Sequence, residues 1–353
     1  MTLESISRIL LDVVKWSVGL VGLGRIPVTD EITSSSLVRT VVTKLSLLTQ
    51  LFLYVKLGGK QYMEASWQYT GDEPIKIKKF LQSLGMGHRL FNDIKKGEGE
   101  FLVDHRPVRP TTKILPNQPL TIKVAPEPVD PTVAVSHDPL KIVYEDDNWL
   151  VIDKPAGMTS IPGPSVANGT VLNRVVGYLI DHHSPDQRPH LITRLDRDTG
   201  GLLLVAKHHV ASSMISQQVQ QHRMLKEYTA IVGGNFTTDH GTIDKPIARV
   251  ADQAQRVVAD DGQNALTEYW VEEQGKDWGR VRVRLHTGRT HQIRVHFAAI
   301  GHPLVGDALY DGDTSRAAHQ LLHASRLSFL DPFTRRQLSF TSPLPASFND
   351  IMA

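Results

Sequence analysis

Residues 190–207 read HLITRLDRDTGGLLLVAK, a charged turn that runs directly into an apolar segment. Residues 202–206 have the length and composition of a strand buried in a sheet. The glycine pair before them permits a tight backbone, which would hold the charged turn at the rim of that sheet. Arginines beside a carboxylate are one way in which a protein prepares an acid for chemistry. A salt-bridged surface turn explains the same spacing, so both interpretations stay open on these residues alone.

A second charged segment, residues 285–296, reads LHTGRTHQIRVH. It places Arg289, His291 and Arg294 around the start of a helix predicted over about residues 290–300. Helix N-terminal amides attract anions and the arginines strengthen this, so we expect a phosphate or a carboxylate as the partner. His291 and His296 are five residues apart, which does not put them on one helical face. We therefore predict no metal site here.

Residues 226–233, KEYTAIVG, predict a strand with an aromatic residue beside a basic one. On such a strand Tyr228 can stack on a nucleic-acid base and offer its hydroxyl group, with Lys226 near a phosphate. A core tyrosine is the alternative interpretation.

The composition is that of an ordinary globular protein, with 353 residues, 41% hydrophobic residues and a net charge of +2. Nucleic-acid binding would therefore depend on local basic patches. The absence of cysteine excludes thiol nucleophiles, disulfides and cysteine-ligated zinc, and it is consistent with the cytoplasm. No phosphate-binding glycine loop, nucleophile elbow or His-Glu-x-x-His helix is present, so the sequence does not support an ATPase, an α/β-hydrolase or a zinc peptidase. No nucleotide cofactor is expected. Residues 9–23 are interrupted by charges and residues 45–55 are too short to span a bilayer, so no membrane association is predicted.

Residues 194–201, RLDRDTGG, resemble the active-site signature of the RluA-type pseudouridine synthases. Residues 285–296 and the opening segment around residues 142–158 are similar to further motifs of that family. Thr193 stands where many members have histidine, and Gly200 where many have serine. These departures leave the subgroup open but remove neither a carboxylate nor an arginine.

The resemblance implies roles for three catalytic residues: Asp196 is the catalytic carboxylate, Tyr228 lies against the target base, and Arg294 forms an ion pair with Asp196. A guanidinium at that position would keep a partly buried aspartate ionised. The carboxylate could then attack the sugar C1′ or take a proton there. We expect a further set of residues to bind the RNA: Arg194, Arg197, Lys226, Arg289 and His291. Neither a metal nor another cofactor is expected.

The predicted fold class is α+β, because strands and helices follow each other without regular alternation. The resemblance implies a catalytic domain over residues 141–346, with a mixed or antiparallel central sheet and flanking helices. Residues 63–126 combine two short helices with small strands and resemble a divergent S4 RNA-binding domain; a structural cap with a solvated basic face is the alternative. Residues 127–140 are rich in proline and predict an extended linker.

Residues 1–62 show no comparable pattern. We interpret them as an upstream extension outside the working enzyme, with Met63 as the true start and an edge strand following it. A signal peptide is the weaker alternative.

Together these observations predict a monomeric, cytoplasmic enzyme that isomerises uridine to pseudouridine in structured RNA. Large-subunit ribosomal RNA is the first expected substrate and transfer RNA the second. A non-catalytic RNA-binding or ribosome-assembly protein with the same fold and a metal-dependent nuclease are the alternatives.

Overall fold

Strands dominate the part of the chain that the computed structural model describes, residues 53–57 and 60–352. The strands are β1 (Leu53–Leu57), β2 (Lys60–Gln68), β3 (Ile75–Lys76), β4 (Gly99–Val103), β5 (Arg106–Val108), β6 (Lys113–Ile114), β7 (Pro119–Val124), β8 (Ile142–Glu145), β9 (Trp149–Lys154), β10 (His190–Leu191), β11 (Gly200–Ala206), β12 (Leu225–Gly233), β13 (His240–Asp244), β14 (Ile247–Arg249), β15 (Arg256–Val258), β16 (Leu266–Gln274), β17 (Trp278–Leu285), β18 (Leu322–Leu330) and β19 (Gln337–Thr341). The α-helices are α1 (Ile77–Ser83), α2 (His88–Asp93), α3 (Val171–Asp181), α4 (His209–Gln220), α5 (Gln292–Ala299) and α6 (Ala346–Met352). A π-helical turn covers Ile94–Glu98, and a 3₁₀ turn covers Ala308–Tyr310.

The largest sheet has the strand order β13-β16-β17-β12-β18-β11-β9-β8, with β10 added to β11 and β19 to β18. Among its described strands, β11 and β18 pair in parallel and the other neighbours are antiparallel. The prediction of an α+β fold with a mixed central sheet is therefore confirmed.

Strand β11 lies inside this sheet, and all seven of its residues are buried. Its side chains alternate between two apolar cores, with Leu202 and Leu204 on one face and Leu203 and Val205 on the other. A strand covered on both faces reads as an unbroken apolar run, which is why the sequence predicted it. Gly201 precedes this run with a φ of 104°, and a Cβ there would lie 2.4 Å from the Ala324 carbonyl oxygen of β18. The close approach of β11 and β18 thus requires glycine at this position.

Helix α3 covers one face of the sheet through Val171, Val175 and Leu179. Thr170 caps it, since its side chain accepts a hydrogen bond from the Asn173 amide and the Asn173 side chain accepts one from the Thr170 amide. Helix α4 covers the opposite face, where Met214 and Ile215 are buried.

Strand β1 and residues 60–124 form a second, antiparallel sheet with the order β1-β2-β7-β4-β5, and residues 60–124 also contain α1 and α2. Helix α1 ends just before Gly85, which has a φ of 105°. The apolar residues of this unit share one continuous core with α4 and with one face of the large sheet. The unit is therefore packed against the part of the chain that forms the large sheet.

Two details of the N-terminal region differ from the sequence-based expectation. Strand β2 begins at Lys60, three residues before Met63, and it pairs with β1 on one side and β7 on the other. It is therefore not an edge strand, and the sheet extends upstream of the boundary placed at Met63. The remainder of the predicted extension, residues 1–52, lies outside the described residues.

Residues 127–139, which belong to the segment predicted as a linker, contain no strand or helix. They are nevertheless fixed to helix α3, because the Ser136 amide donates to the Asn173 carbonyl and the Asn173 side chain donates to the Ala134 carbonyl. Sequence reasoning missed the hairpin β14–β15, whose strands have three residues each.

Candidate active site

A cleft of about 560 Å³ opens where the turn before β11 faces the start of β12 and the segment between β17 and α5. Asp196 is its one acidic lining residue among those that the structure describes. The basic lining residues are Arg194, Arg197, His222, Lys226, Arg289, His291 and Arg294. The structure thus places all eight residues selected from the sequence, Tyr228 included, around one cavity.

The Asp196 side chain is 27% exposed and faces this cleft. Its Oδ2 atom lies 3.3 Å from Nη1 of Arg294 and 3.9 Å from Nε2 of His291. The Thr199 amide donates to the Asp196 carbonyl, which closes the turn. The carboxylate is therefore open to a ligand and held beside a guanidinium.

Two buried polar side chains hold the backbone on either side of Asp196. Ser160 donates to the Leu195 carbonyl at 2.7 Å and accepts the Leu195 amide at 3.1 Å. Lys154, which is 1% exposed, donates to the Arg197 carbonyl at 2.8 Å and to the carbonyls of Pro155 and Met158. Burial lowers the pKa of Lys154 to about 8, although Asp198 and Asp196 oppose this effect. The turn is thereby fixed to the loop that follows β9.

Arg294 has a second carboxylate partner that the sequence did not reveal. Its Nε and Nη2 atoms donate to the two carboxylate oxygens of the buried Asp307, at 2.7 and 2.8 Å. Burial opposes the charge of Arg294, but its hydrogen bonds and charge interactions with Asp307 and Asp196 outweigh burial and raise its pKa. A two-point contact fixes the guanidinium plane, so Nη1 is presented to Asp196 in one direction.

Tyr228 is 8% exposed and lines the cleft from β12. The register between β12 and β18 shifts between Glu227 and Thr229, with one more residue on β18 than on β12. Such a bulge re-aims the neighbouring side chains, and bulges are common beside active sites. Burial, and then the charge of Asp196, raise the pKa of Tyr228, so its phenol is neutral. A neutral aromatic ring beside the carboxylate can stack on a base.

His291 links the cleft to the hairpin β14–β15. It has a φ of 58°, and for this reason α5 begins at Gln292 and not at Thr290 as predicted. Its Nδ1 atom lies 2.9 Å from the Tyr310 hydroxyl, which also accepts the Arg256 amide of β15. Burial lowers the pKa of His291; Arg294 reinforces this effect and Asp196 opposes it. A neutral His291 that accepts the tyrosine hydrogen at Nδ1 carries its own hydrogen on Nε2, toward Asp196.

The remaining predicted residues lie at the rim of the cleft. Arg194 and Arg197 are exposed, and Arg197 pairs with Asp198 through its Nη2 at 3.0 Å. Arg289 donates from Nε to the Asn264 carbonyl, and Lys226 is half-buried.

The two positions that depart from the family pattern are close to the same turn. The Thr193 hydroxyl accepts the Leu204 amide at 2.9 Å, which anchors the turn to β11. A Cβ at Gly200 would lie 3.1 Å from Nδ1 of His323, so a larger residue there would require that histidine to shift.

Sequence reasoning missed Lys154, Ser160, Asp307 and Tyr310 as parts of the site. All four residues have partners that are distant in sequence. Their burial, which is the decisive property, is not visible in a single sequence. In the described part of the chain, no group of three or more histidine, aspartate or glutamate side chains is placed to hold a metal ion. No helix in residues 60–352 is long and apolar enough to cross a bilayer.

Comparisons with known proteins agree with this geometry. A family model described as RNA pseudouridylate synthase matches residues 148–299. The chain is 38% identical over 280 residues to the uncharacterized RNA pseudouridine synthase YjbO of Bacillus subtilis, which covers 78% of this chain and 98% of that protein. It is 38% identical over 256 residues to the ribosomal large subunit pseudouridine synthase D of Vibrio parahaemolyticus, covering 67% of this chain and 77% of that one.

The solved structure of human RNA pseudouridylate synthase domain containing 4 has the same fold. Its TM-score is 0.50 at 23% identity, over 60% of this chain and 90% of that one. The cleft with Asp196, Arg294 and Tyr228 is built almost entirely from the matched segment. The chain belongs to the RNA pseudouridylate synthase family and is an RNA pseudouridine synthase of the RluA type.

Proposed function

We propose that this enzyme isomerises specific uridines in structured large-subunit ribosomal RNA, with Asp196 as its catalytic residue and without a cofactor. The observation that carries the proposal is the position of Asp196, 3.3 Å from Arg294 in a cleft whose other charged side chains are basic. The relative named ribosomal large subunit pseudouridine synthase D supports the choice of RNA. Transfer RNA is the second candidate substrate.

The reaction rearranges the nucleoside without net gain or loss of atoms. The N1–C1′ bond breaks, the uracil rotates, and a C5–C1′ bond forms, after which the C5 hydrogen is lost as a proton and N1 gains one. An ionised Asp196 can act on C1′ as a nucleophile or as a base for a sugar proton. Arg294 stabilises this negative charge, and the neutral Tyr228 ring is placed to hold the base beside it.

A uridine in folded RNA must leave its stack to reach Asp196, which costs a few kcal/mol. Stacking on Tyr228 and phosphate contacts from the basic rim would offset this energy. Arg194 and Arg197 flank Asp196 and are exposed, so they can contact the backbone or fill the space that the base leaves.

Residues 60–124 add a second basic surface, and we propose that they act as an S4-like RNA-binding unit. Its exposed basic residues on and beside α1 and α2 are Lys76, Lys78, Lys79, Arg89, Lys95 and Lys96. Binding through phosphates predicts a strong salt dependence of RNA affinity. We further propose that the enzyme works as a monomer in the cytoplasm, consistent with the absence of cysteine from the chain.

The test is to map pseudouridines in ribosomal and transfer RNA from a strain that lacks the gene. We expect one or more sites to disappear from large-subunit ribosomal RNA and to return with the wild-type gene but not with Asp196→Asn. The Asp196→Asn protein should still bind RNA, because the substitution removes a charge that repels phosphate.

Each other outcome has a definite meaning. Sites lost from transfer RNA alone would replace the proposed substrate by the second candidate. Modification by Asp196→Asn would contradict the catalytic role. If the chromosomal deletion changes no pseudouridine while the protein binds RNA, it acts as a non-catalytic assembly factor. Shortened RNA that EDTA protects would indicate a nuclease.

A further inference from the structure

The ammonium group of Lys226 lacks a carboxylate partner in the part of the chain that the structure describes. Lys226 is half-buried at the start of β12 and lines the cleft. No hydrogen bond or ion pair of this group is present among the described residues, and burial lowers its pKa without any opposing acid. A charge that is partly withdrawn from water without a partner carries an energetic cost, which an anionic ligand would relieve. The geometry therefore leaves room for an anionic partner.

Two further basic side chains share this neighbourhood. Lys226 Nζ lies against the turn after β17, 3.4 Å from where a Cβ of Gly288 would be, and Arg289 is the next residue. Arg289 uses Nε on the Asn264 carbonyl, which leaves its two terminal nitrogens for other partners. His222, in the loop before β12, has a pKa that is lowered by burial and by the positive charges of Lys226 and Arg289. Lys226 and Arg289 therefore both lie close enough to His222 to disfavour its protonated form in the free enzyme.

The nearby carboxylates do not neutralise this cluster. Asp196 is held by Arg294 on another side of the cleft. Glu227 follows Lys226 in the chain, but it points to the opposite face of the sheet, where Arg284 donates to it at 2.7 Å. The positive charge of the cluster is therefore directed into the cleft.

The sheet topology relates this cluster to the catalytic residues. Strands β12 and β17 are antiparallel, so the start of β12 lies beside the turn that follows β17. Lys226 and Tyr228 both line the cleft and are two residues apart, about 7 Å along a strand. If Tyr228 holds the base next to Asp196, Lys226 lies one step closer to the rim, where the backbone of the same nucleotide must pass.

We propose that Lys226, Arg289 and His222 form a binding site for one phosphodiester group of the RNA, adjacent to the target uridine. This inference rests on the proposed function and adds the group that anchors the flipped nucleotide. A phosphate held here fixes the sugar with C1′ toward Asp196. Since the phosphate is bound equally before and during the reaction, its loss should raise KM more than it lowers kcat.

The test combines protein variants with RNA in which single phosphates are made neutral. The probe is a synthetic stem-loop carrying the mapped uridine, with a methylphosphonate at one linkage at a time around that uridine. We compare Lys226→Gln and Arg289→Gln with Arg316→Gln, a matched control whose guanidinium is already paired with Asp277 outside the cleft. kcat and KM are measured for each pair of protein and RNA.

We expect each cleft variant to raise KM roughly tenfold or more on natural RNA, the usual effect of losing a hydrogen bond to a charged group. In the wild type and in Arg316→Gln, a methylphosphonate at one particular linkage should raise KM about as much as the loss of a cleft side chain does. In the cleft variants, the same methylphosphonate should raise KM little further. His222→Gln should have a smaller effect of the same kind. The proposal would be overturned if a methylphosphonate at every linkage raised KM by the same factor in the cleft variants as in the wild type.

A binding measurement separates this inference from the proposed reaction. Affinity of the Asp196→Asn protein for decauridylate is measured against salt, with and without the cleft substitutions. Each removed phosphate contact should reduce the slope of log K against log salt by about 0.7. Unchanged slopes would refute the phosphate site even if the enzyme modifies RNA, whereas reduced slopes would support it even if no uridine is converted.

Discussion

Arg294 contacts two carboxylates of the site, Asp196 and Asp307. Its guanidinium contacts Asp307 through two nitrogens and Asp196 through the third, and its carbon lies 5.0 Å from the centre of the Tyr310 ring. Asp307 therefore sets the orientation of Arg294, and Arg294 in turn sets that of Asp196. An arginine is needed here because a lysine has one point of attachment and could not satisfy both carboxylates in a fixed direction.

Tyr310→Phe tests whether the hydrogen bond to His291 positions the site. The variant keeps the ring beside Arg294 but loses the hydroxyl that joins His291 to the Arg256 amide. We expect kcat to fall about tenfold, the value of one hydrogen bond of about 1.4 kcal/mol, with a smaller change in KM. Single-turnover pseudouridylation is the measurement. Tyr178→Phe is the control, since that hydroxyl bonds Glu145 outside the cleft; equal activity of the two variants would contradict the role.

Lys154 makes stability depend on pH in a definite direction. Its pKa is about 8 in the folded protein against 10.5 for the free side chain. Between these values the unfolded chain binds more protons than the folded one, so the free energy of unfolding rises with pH.

Urea unfolding of the wild type and of Lys154→Met isolates this contribution. From pH 8 to 10.5 the free energy of unfolding of the wild type should rise, relative to that of Lys154→Met, by up to about 3 kcal/mol. A difference that does not change with pH would show that Lys154 titrates as an ordinary lysine.

At the scale of elements, the site depends on the contact between β11 and β18. Gly201 allows the two backbones to approach, and the register shift between β18 and β12 lies at the neighbouring residues. The turn with Asp196 leads into β11, whereas Tyr228 is on β12, so β18 sets the spacing between the Asp196 carboxylate and the Tyr228 ring.

Gly201→Ala should therefore be strongly destabilising. The left-handed φ and the collision with the Ala324 oxygen together cost about 3 to 4 kcal/mol. Gly157→Ala provides the comparison, because Gly157 has a φ of 85° but no atom within 4 Å of a new Cβ, so it carries only the backbone penalty of about 1 kcal/mol. Chemical denaturation measures the free energy of unfolding of both variants, and similar decreases would show that the contact between β11 and β18 is unimportant.

The sequence predicted the elements whose signal is local. The apolar run of β11 and the strand predicted over residues 226–233 each depend on a few adjacent residues, and both are as expected. The contacts that complete the site join distant residues, such as Lys154 with the Arg197 carbonyl 43 positions away and His291 with Tyr310 19 positions away. The hairpin β14–β15 was missed because strands of three residues are too short to show a period.

At the scale of the whole molecule, residues 60–124 and the catalytic domain share one apolar core around α4. Met214 lies in that core with 0% exposure, and its carbonyl oxygen is 2.5 Å from where a Cβ of Gly85 would be. The two parts should therefore unfold together, because neither can separate without exposing this face.

Met214→Ala tests this coupling. We expect a loss of about 2 to 5 kcal/mol in the free energy of unfolding, felt equally by peptides from both parts in hydrogen exchange. Val219→Ala, on the same helix but 37% exposed at the cleft, should change stability by less than about 0.5 kcal/mol. A loss of protection confined to residues 60–124 would mean that the parts open independently.

Helix α4 connects residues 60–124 with the cleft. Its apolar face packs with residues 60–124, while Val219 at its far end and His222 just beyond it line the cleft. If the basic surface of residues 60–124 binds RNA, the distance between this surface and Asp196 is constant, and the enzyme measures a fixed length along its substrate. A uridine is then selected when it lies at this fixed length from the RNA element that the basic surface binds. Lengthening the RNA helix between the two by a single base pair should prevent modification of that uridine.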